Sequence, residues 1–342
     1  MRKALVYLLV ILAVFSFAGC SKTADNGSAT APANSTGTAT GDTTTTPAAS
    51  SKNFSVVTGP VGGSMYVISG SWADIANKKV PGIQVTNQVG GGSVLCARVL
   101  GKGEADFGMV GNDIAYYASR GEEDFKDNAM PQIRAVAALY AEGFHVIVPK
   151  KSGMAKMEDL TNKVTSIGPA GSGTLLNSER VLAAYGFSDK DVGAKQLGFD
   201  ESAQAISDGH VDAACYMTGI PYGPVMNIAV TTPINAFGLS DTAIDNLMKK
   251  YPFFVKMHYP ADTYKGAGAF DTIAVRMLLV TTDKVDEESV YQLTKLLVEN
   301  IDQIAASNAC GSTISKETLL DGLSVPLHPG AERYYKEIGL IK

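Results

Sequence analysis

Short β-branched runs alternate along most of the chain with longer segments whose apolar residues recur at helical spacing. The spacing predicts three helices, each with one buried face, from Ile68, Trp72 and Ile75; from Leu175, Leu182 and Tyr185; and from Leu293, Leu297 and Ile301. The β-branched runs predict strands at Phe54–Val57, Ile83–Thr86, Phe107–Val110, Val136–Tyr140, His145–Val148, Lys163–Ile167 and Ala213–Tyr216. This alternation indicates an α/β protein with largely parallel strands.

Two short segments of the chain share the same sequence pattern. GEADFGMV at Gly103–Val110 and GHVDAACYM at Gly209–Met217 share Gly-x-x-Asp running into an apolar strand, each after a helical segment. Either matches this short arise by chance, or they mark two lobes of similar build.

The N-terminal region carries a targeting signal. Arg2 and Lys3 precede an apolar run that stops at Cys20, and polar sequence follows. A transmembrane anchor is the alternative, but a span needs about 20 apolar residues. The ending Phe-Ala-Gly-Cys resembles a bacterial lipobox, so we expect residues 1–19 to be a lipoprotein signal peptide and Cys20 to carry lipid, with palmitate among its acyl chains.

Residues 20–53 are rich in Thr, Ala and Ser and contain no large apolar residue before Asn53, which predicts a disordered tether. With lipid at Cys20, the protein would be extracytoplasmic and anchored to a bacterial membrane, on the periplasmic side or at the cell surface.

Charge and cysteine usage narrow the choice of partners. Loss of Arg2 and Lys3 with the signal peptide moves the formal net charge from -5 to -7, which argues against nucleic acid. Cys96, Cys215 and Cys310 allow at most one disulfide. Because neither the cysteines nor the four scattered histidines have metal-ligand spacing, we expect no metal and no cofactor.

Three loops share one design: VVTGPVGGSMY, QVTNQVGGGSVL and SIGPAGSGTLL each run strand, glycine-rich turn, hydroxyl residue and helix. Ser64, Ser93 and Thr174 stand at an N-cap or first-turn position, where backbone N–H groups lack intrahelical partners. Such donors and the positive end of the helix dipole bind anions. Each loop alone could be an ordinary tight turn, but three at the ends of parallel strands predict a shared crevice.

Catalytic motifs are missing from these loops. No lysine precedes the hydroxyl residue, which excludes a P-loop, and the third loop spaces Gly168, Gly171 and Gly173 in the reverse of G-x-G-x-x-G. No G-x-S-x-G elbow occurs either. We therefore expect a binding protein and not an enzyme.

Taken in order, TGPVGGSMY, GGGSVLCARVLGKGEADFGMVGNDIAYYA, LYAEGFHVIV, GPAGSGT and DGHVDAACYMTGIP resemble the TAXI family of solute-binding proteins that serve TRAP transporters. The resemblance implies a type II periplasmic-binding-protein fold, with two α/β lobes joined by hinge strands and a ligand cleft between them. It places lobe 1 at residues 54–143 plus 283–342 and lobe 2 at residues 144–282.

The resemblance also supplies most of the site residues. It assigns ligand contacts to Gly62, Gly63, Ser64, Tyr66, Ser93, Asn112, Asp113, Gly171, Ser172, Gly173, Thr174, Gly219 and Pro221, and Thr58 and Tyr140 complete the predicted set. Cys96 stands where the family often has Asn, so the resemblance assigns no polar contact to this position.

The predicted binding mode follows from these residues. Ser64, Ser93 and Thr174 would donate hydroxyl hydrogen bonds to a carboxylate, and Tyr66 and Tyr140 would stack on its carbon skeleton or belong to the core. Tyr216 is open to the same two interpretations. The rival anchors are arginines, because their fork binds carboxylates: Arg98, Arg134, Arg180 and Arg276, with Arg98 and Arg180 expected at the surface.

The predicted function is that of a monomeric receptor that delivers glutamate, 2-oxoglutarate or a similar dicarboxylate to a TRAP permease. The alternatives are a binding lipoprotein of an ABC importer or sensor system, and a lipoprotein enzyme that uses the same cleft.

Overall fold

The computed structural model describes residues 51–342, so the predicted signal peptide, the lipidation site Cys20 and almost all of the predicted tether lie outside the described residues. The tether was predicted to run through Asn53. Instead, the first strand begins at Lys52, whose ammonium group lies 2.9 Å from the Asp286 carboxylate. The folded body therefore begins before the predicted boundary.

The described residues form a nine-stranded sheet flanked by helices. The strands are β1 Lys52–Val57, β2 Ile83–Gln88, β3 Phe107–Gly111, β4 Ile133–Pro149, β5 Thr165–Ser166, β6 Ala213–Thr218, β7 Ile234–Phe237, β8 Val255–Tyr259 and β9 Phe270–Thr282. The helices are α1 Ser64–Lys79, α2 Ser93–Lys102, α3 Asn112–Arg120, α4 Gly173–Ala184, α5 Phe199–Asp208, α6 Gly223–Ile228, α7 Asp241–Lys250, α8 Glu287–Glu299, α9 Ile301–Ala305 and α10 Pro329–Glu337.

The order of the main sheet is β2-β1-β3-β9-β4-β6-β5, with β7 paired to β4 and β8 paired to β9. Pairing is parallel between β1 and β2, β1 and β3, and β5 and β6, and antiparallel elsewhere. The prediction of largely parallel strands is therefore wrong for the centre of the sheet. It failed because β9, a long apolar strand, was not recognised in the sequence.

Two long antiparallel strands connect the halves of the molecule. The first part of β4 pairs with the end of β9, and β4 then continues past Gly143 to pair with β6 and β7. The two strands predicted within this stretch are thus one strand. Register shifts between Ala135 and Ala137 and between Ala138 and Ala141 mark two bulges in β4. Two α/β lobes joined by crossing strands confirm the predicted fold class.

The shared sequence pattern has a structural counterpart in each lobe. Gly103 ends α2 and Gly209 ends α5, both in the left-handed conformation at φ 75°, which glycine adopts without steric cost. The aspartates that follow accept hydrogen bonds from neighbouring backbone: Asp106 from Ser55 N at 2.8 Å and Asp212 from Val164 N at 2.9 Å. The motif therefore ends a helix and fixes the next strand in both lobes.

The four histidines are structural or exposed, as expected. His145 is fully buried, with Nδ1 3.0 Å from the Gly143 carbonyl and Nε2 3.0 Å from the Tyr264 hydroxyl, and burial lowers its pKa to about 4. His328 is buried against the Val285 carbonyl. Within residues 51–342 the three cysteines are free and buried, no acidic, histidine and cysteine side chains cluster as for a metal, and no helix has the length and apolarity to cross a bilayer.

A buried ion pair crosses between the lobes. Arg180 on α4 lies 3.7 Å from Asp113 on α3, and the two side chains are 6% and 1% exposed. Asn177 donates to the same carboxylate at 2.8 Å and accepts from Arg180 at 2.9 Å. The guanidinium also lies over the rings of Tyr117 and Tyr251 at 4.8 and 4.9 Å. The expectation that Arg180 lies at the surface is wrong, because this pocket replaces water around the charge.

We predict that Arg180→Met lowers the free energy of unfolding by about 3–5 kcal/mol, because it leaves the Asp113 carboxyl buried without its cation. The change is measured by urea unfolding of the purified protein. The matched control is Lys336→Met, which breaks an exposed pair with Glu332 at 2.7 Å and should cost about 1 kcal/mol or less. Equal effects of the two changes would show that the pair between the lobes contributes no more than a surface pair.

Candidate functional site

The three glycine-rich loops meet at one cavity of about 30 Å³. They contribute Pro60 and Met65; Gly91, Gly92 and Ser93; and Pro169, Ser172, Gly173 and Thr174. Glu142, Phe199 and Met217 complete its wall. A larger open groove of about 420 Å³ runs along α5, but it is lined mostly by exposed side chains of one lobe and touches none of the three loops.

The first loop connects β1 to α1. Thr58 is fully buried, with its hydroxyl 3.1 Å from the Gln88 carbonyl, so it fixes the loop to β2. Gly62 takes φ 83° and Gly63 precedes the helix, which begins at Ser64. The Ser64 side chain is buried beside Gly219 and the Cys310 thiol. Tyr66 is half-buried and is not part of the cavity wall, so the structure does not place it for stacking.

The second loop connects β2 to α2. A Cβ on Gly90 would lie 2.1 Å from the Thr58 carbonyl, so this position requires glycine for the first two loops to touch. The Ser93 hydroxyl accepts from Gly111 N at 3.0 Å, which leaves its own proton without an acceptor among the described residues. Cys96 is fully buried, and its thiol lies 2.9 Å from the Thr58 carbonyl. Its polar contact is therefore made within the protein.

The third loop connects β5 to α4. Ser172 is the N-cap of α4: its Oγ accepts from Leu175 N at 3.1 Å and donates to the Pro169 carbonyl at 2.7 Å. The Thr174 hydroxyl donates to the Met217 carbonyl at 3.0 Å. Because that proton is in use, Thr174 is not a free donor for a ligand in this conformation. Gly171, at φ 74°, packs against Leu95 of the second loop.

The starts of α1, α2 and α4 keep their first-turn N–H groups open. Within residues 51–342 the amides of Ser64 and Met65, of Ser93 and Val94, and of Gly173 and Thr174 make no hydrogen bond. Ser93, Gly173 and Thr174 stand on the cavity wall. Helix starts from both lobes therefore direct unsatisfied donors and positive dipole ends toward one space.

Asn112 and Asp113 occupy structural positions and not the cavity wall. The Asn112 amide donates to the carbonyls of Phe253 and Gly322 and accepts from Arg276 N, so its hydrogen bonds are made by the protein. Asp113 is held by Asn177 and Arg180. Both residues link α3 to the other lobe.

Tyr140, Gly219 and Pro221, together with Tyr216, make their contacts away from the described cavity wall. Tyr140 is fully buried and donates to Glu142 at 3.1 Å, and Tyr216 is fully buried beside His145. Gly219 lies against Ser64 and Cys310, and Pro221 is half-buried after a cis peptide bond. None of these four residues is part of the cavity wall.

Glu142 is a wall residue that the sequence interpretation missed. It lies on β4 directly after the second bulge and is 8% exposed, and burial raises its pKa to about 8 although the Tyr140 hydrogen bond acts in the opposite direction. A charged residue inside the apolar run from Ile133 to Pro149 was the available signal. Met65, Phe199 and Met217 were also missed, because apolar residues in apolar elements carry no such signal.

No arginine is among the described residues of the cavity wall. Arg98 is exposed over the Phe125 ring, and Arg134 pairs with Asp283 at 3.3 Å. Arg276 lies 3.5 Å from Asp321 and keeps a buried Nη1 without a hydrogen-bond partner. Backbone donors, the hydroxyl side chains of Ser93, Ser172 and Thr174, and one carboxyl group therefore form the polar part of this wall, which has no guanidinium among its described residues.

The raised pKa of Glu142 predicts that the contribution of this group to the free energy of unfolding falls as pH rises. Between the ordinary pKa of 4.5 and about 8, the folded protein keeps a proton that the unfolded chain releases. This stabilisation is complete below the unfolded pKa and is lost as pH rises through the folded pKa. Urea unfolding at several pH values should show the free energy of the natural protein falling relative to E142Q between about pH 5 and 8.5. If the free energy of unfolding of the natural protein rose with pH relative to that of E142Q, the raised pKa assigned to Glu142 would be wrong.

The chain is similar to one protein family in sequence and to several solved structures in fold. The model of the NMT1-like family matches residues 56–339. A solved structure from Bordetella bronchiseptica RB50 aligns with 84% of this chain and 98% of its own at 15% identity and TM-score 0.54. PhnD1 from Prochlorococcus marinus in complex with methylphosphonate aligns with 85% of this chain and 99% of its own at 13% identity and TM-score 0.51. The alkanesulfonate-binding protein SsuA from Xanthomonas axonopodis pv. citri bound to MOPS aligns with 84% of this chain and 85% of its own at 16% identity and TM-score 0.47.

Identities this low show a common fold. The family match, in contrast, covers the body from β1 to the end of α10. The protein belongs to the NMT1-like family.

Proposed function

We propose that this protein is an extracytoplasmic solute-binding protein that encloses a small anion between its lobes and delivers it to a membrane transporter. The observation that carries the proposal is the meeting of three helix starts from both lobes at one cavity. A cavity of about 30 Å³ has room for roughly one or two water molecules, so the lobes must separate to admit a solute. Closure over that solute then excludes water and strengthens each contact to a charged group. PhnD1, which shares the fold, is solved with methylphosphonate, and this too favours a small oxyanion.

The donors suit a carboxylate, sulfonate or phosphonate group. Ser93 supplies a hydroxyl proton and its helix supplies backbone N–H groups, while Gly173 lets the solute approach the start of α4. Glutamate, 2-oxoglutarate and similar dicarboxylates, which the TAXI resemblance suggests, remain in this class. Of the predicted contacts, Ser93, Ser172, Gly173 and Thr174 stand on the wall, whereas Thr58, Gly62, Gly63, Ser64, Tyr66 and Gly171 support it from the loops.

Two transporter classes fit such a receptor. The comparisons favour the ABC-importer alternative over the TRAP receptor that the TAXI resemblance names, because they support solute-binding proteins in general and not TAXI proteins in particular. Co-purification of the protein with its permease distinguishes the two classes, since a fused TRAP permease and an ABC permease with its ATPase differ in subunit composition.

The lobe boundaries belong to the same proposal. We take residues 54–143 plus 283–342 as lobe 1 and residues 144–282 as lobe 2, since β4 passes from one set of strands to the other at Gly143. The enzyme alternative receives no support from the wall, whose described residues include no histidine or cysteine to activate or act as a nucleophile.

We predict that Gly173→Ala weakens anion binding at least tenfold without loss of stability. Gly173 is the first residue of α4 with ordinary backbone angles, and an added Cβ would make only ordinary contacts with Ile114 and Ser93 while filling space on the wall. Isothermal titration with 2-oxoglutarate, L-glutamate, succinate, methanesulfonate and methylphosphonate measures the effect.

The matched control for this change is Gly223→Ala. Gly223 is also the first residue of a helix, α6, and an added Cβ there would meet nothing within 4 Å. Its affinity should stay within about twofold of the natural protein, since small exposed changes cost little. Equal affinity of both variants, or no binding of any of the five anions to well-folded protein, would refute the proposed site.

We predict that Cys20→Ser abolishes lipid attachment. Metabolic labelling with radioactive palmitate should label the natural protein and not the variant, and detergent phase partition should move the variant to the aqueous phase. Labelling of the variant would exclude Cys20 as the lipidation site, while a labelled natural protein and a soluble variant together support the anchor.

A further inference from the structure

Glu142 is the carboxyl group in the described wall of a cavity that we propose to hold an anion. It follows the second bulge of β4, where the shift in register changes the direction of the side chains that follow. Its Oε1 accepts from the Tyr140 hydroxyl at 3.1 Å, and no lysine, arginine or histidine lies within ion-pair distance of it in residues 51–342. The carboxyl group is thus buried without a compensating cation.

The groups that surround Glu142 do not supply that cation. They are Tyr140 on β4, Asp113 on α3, Tyr259 on β8 and Cys310 in the 3-10 helix Ala309–Thr313. Burial raises the pKa values of both tyrosines and of the thiol, so these three groups are neutral. The charge of Asp113 also raises the pKa of Glu142, and its partner Arg180 forms an ion pair with Asp113 and not with Glu142.

Arg276 on β9 is a second basic group that acts on this set. Its charge acts on Tyr259, as does that of Glu142, but its guanidinium lies 3.5 Å from Asp321 and is not part of the cavity wall. An ionised Glu142 and a bound anion would therefore repel each other in a small, closed space. A protonated Glu142 removes the repulsion and provides an O–H donor.

We propose that Glu142 is protonated in the complex and donates a hydrogen bond to the bound anion, so that solute binding is linked to proton uptake. This inference rests on the proposed function. It also narrows the class of solute to anions without an ammonium group near Glu142, because an ammonium would favour the ionised carboxylate and reverse the sign of the linkage.

The protonation state of Glu142 in the protein without solute sets the direction of the linkage. With a pKa of about 8, Glu142 is mostly protonated at neutral pH and mostly ionised at pH 9. Binding that requires the proton should weaken roughly tenfold between pH 7 and pH 9, because the competent fraction falls by that factor. The complex should take up about half a proton from the buffer at pH 8 and about nine-tenths of one at pH 9.

The experiment is isothermal titration of the full mature chain with 2-oxoglutarate, succinate, L-glutamate and methanesulfonate at pH 7, 8 and 9. Each titration is repeated in two buffers of different ionisation enthalpy, so that the difference in heat counts the protons taken up. E142Q keeps the size of the side chain and an N–H donor but cannot titrate, so its affinity should vary less than twofold over this range. Glu158→Gln, at an exposed position, should follow the natural protein.

Tyr140→Phe provides a second, independent variant. It removes the hydrogen bond that favours the ionised carboxylate, so the pH at which affinity falls should move upward. Binding without proton uptake, equal pH dependence in E142Q, or affinity that rises with pH would overturn the inference and leave the anion site standing. No binding of any probe at any pH would overturn the proposed function and the inference with it.

Discussion

The continuous pairing of β4 with β9 is the constraint on which the two-lobed arrangement depends. Both strands pass through both halves of the sheet, so the lobes share hydrogen bonds at the crossing and not merely a flexible linker. The bulges in β4 lie on this crossing, and Glu142 follows the second. The element that joins the lobes therefore also sets the direction of a side chain on the cavity wall.

The cavity combines two kinds of polar group. The first turns of the helices provide backbone N–H donors that have no hydrogen-bond partner within the described residues. The buried carboxyl group of Glu142 changes with pH between a hydrogen-bond donor and a charged acceptor. Other polar residues nearby make their hydrogen bonds within the protein: Ser172 caps its helix, Thr174 binds β6, and Asn112 joins the lobes through the Phe253 carbonyl. Solute selectivity would thus depend on few groups, while many more hold the loops in place.

The sequence predicted what is encoded locally and missed what depends on distant partners. Helical spacing found α1, α4 and α8, and the glycine-rich loops found the helix starts that meet at the cavity. By contrast, β9 and its antiparallel place in the sheet were missed, because strand order depends on residues far apart in the chain. Hydroxyl residues at similar positions looked equivalent, yet Ser93 keeps a free proton and Thr174 does not, which only their neighbours decide.

The position of β9 also has a consequence for how the chain folds. β3 ends at Gly111, but the strand that completes its pairing spans Phe270–Thr282, and α8 and α10 of the same lobe come later still. Contacts between such distant segments form slowly, because the intervening chain must be ordered first. The N-terminal lobe therefore remains incomplete until most of the chain has been synthesised, and β3 stays at an open edge of the sheet until β9 is available to pair with it.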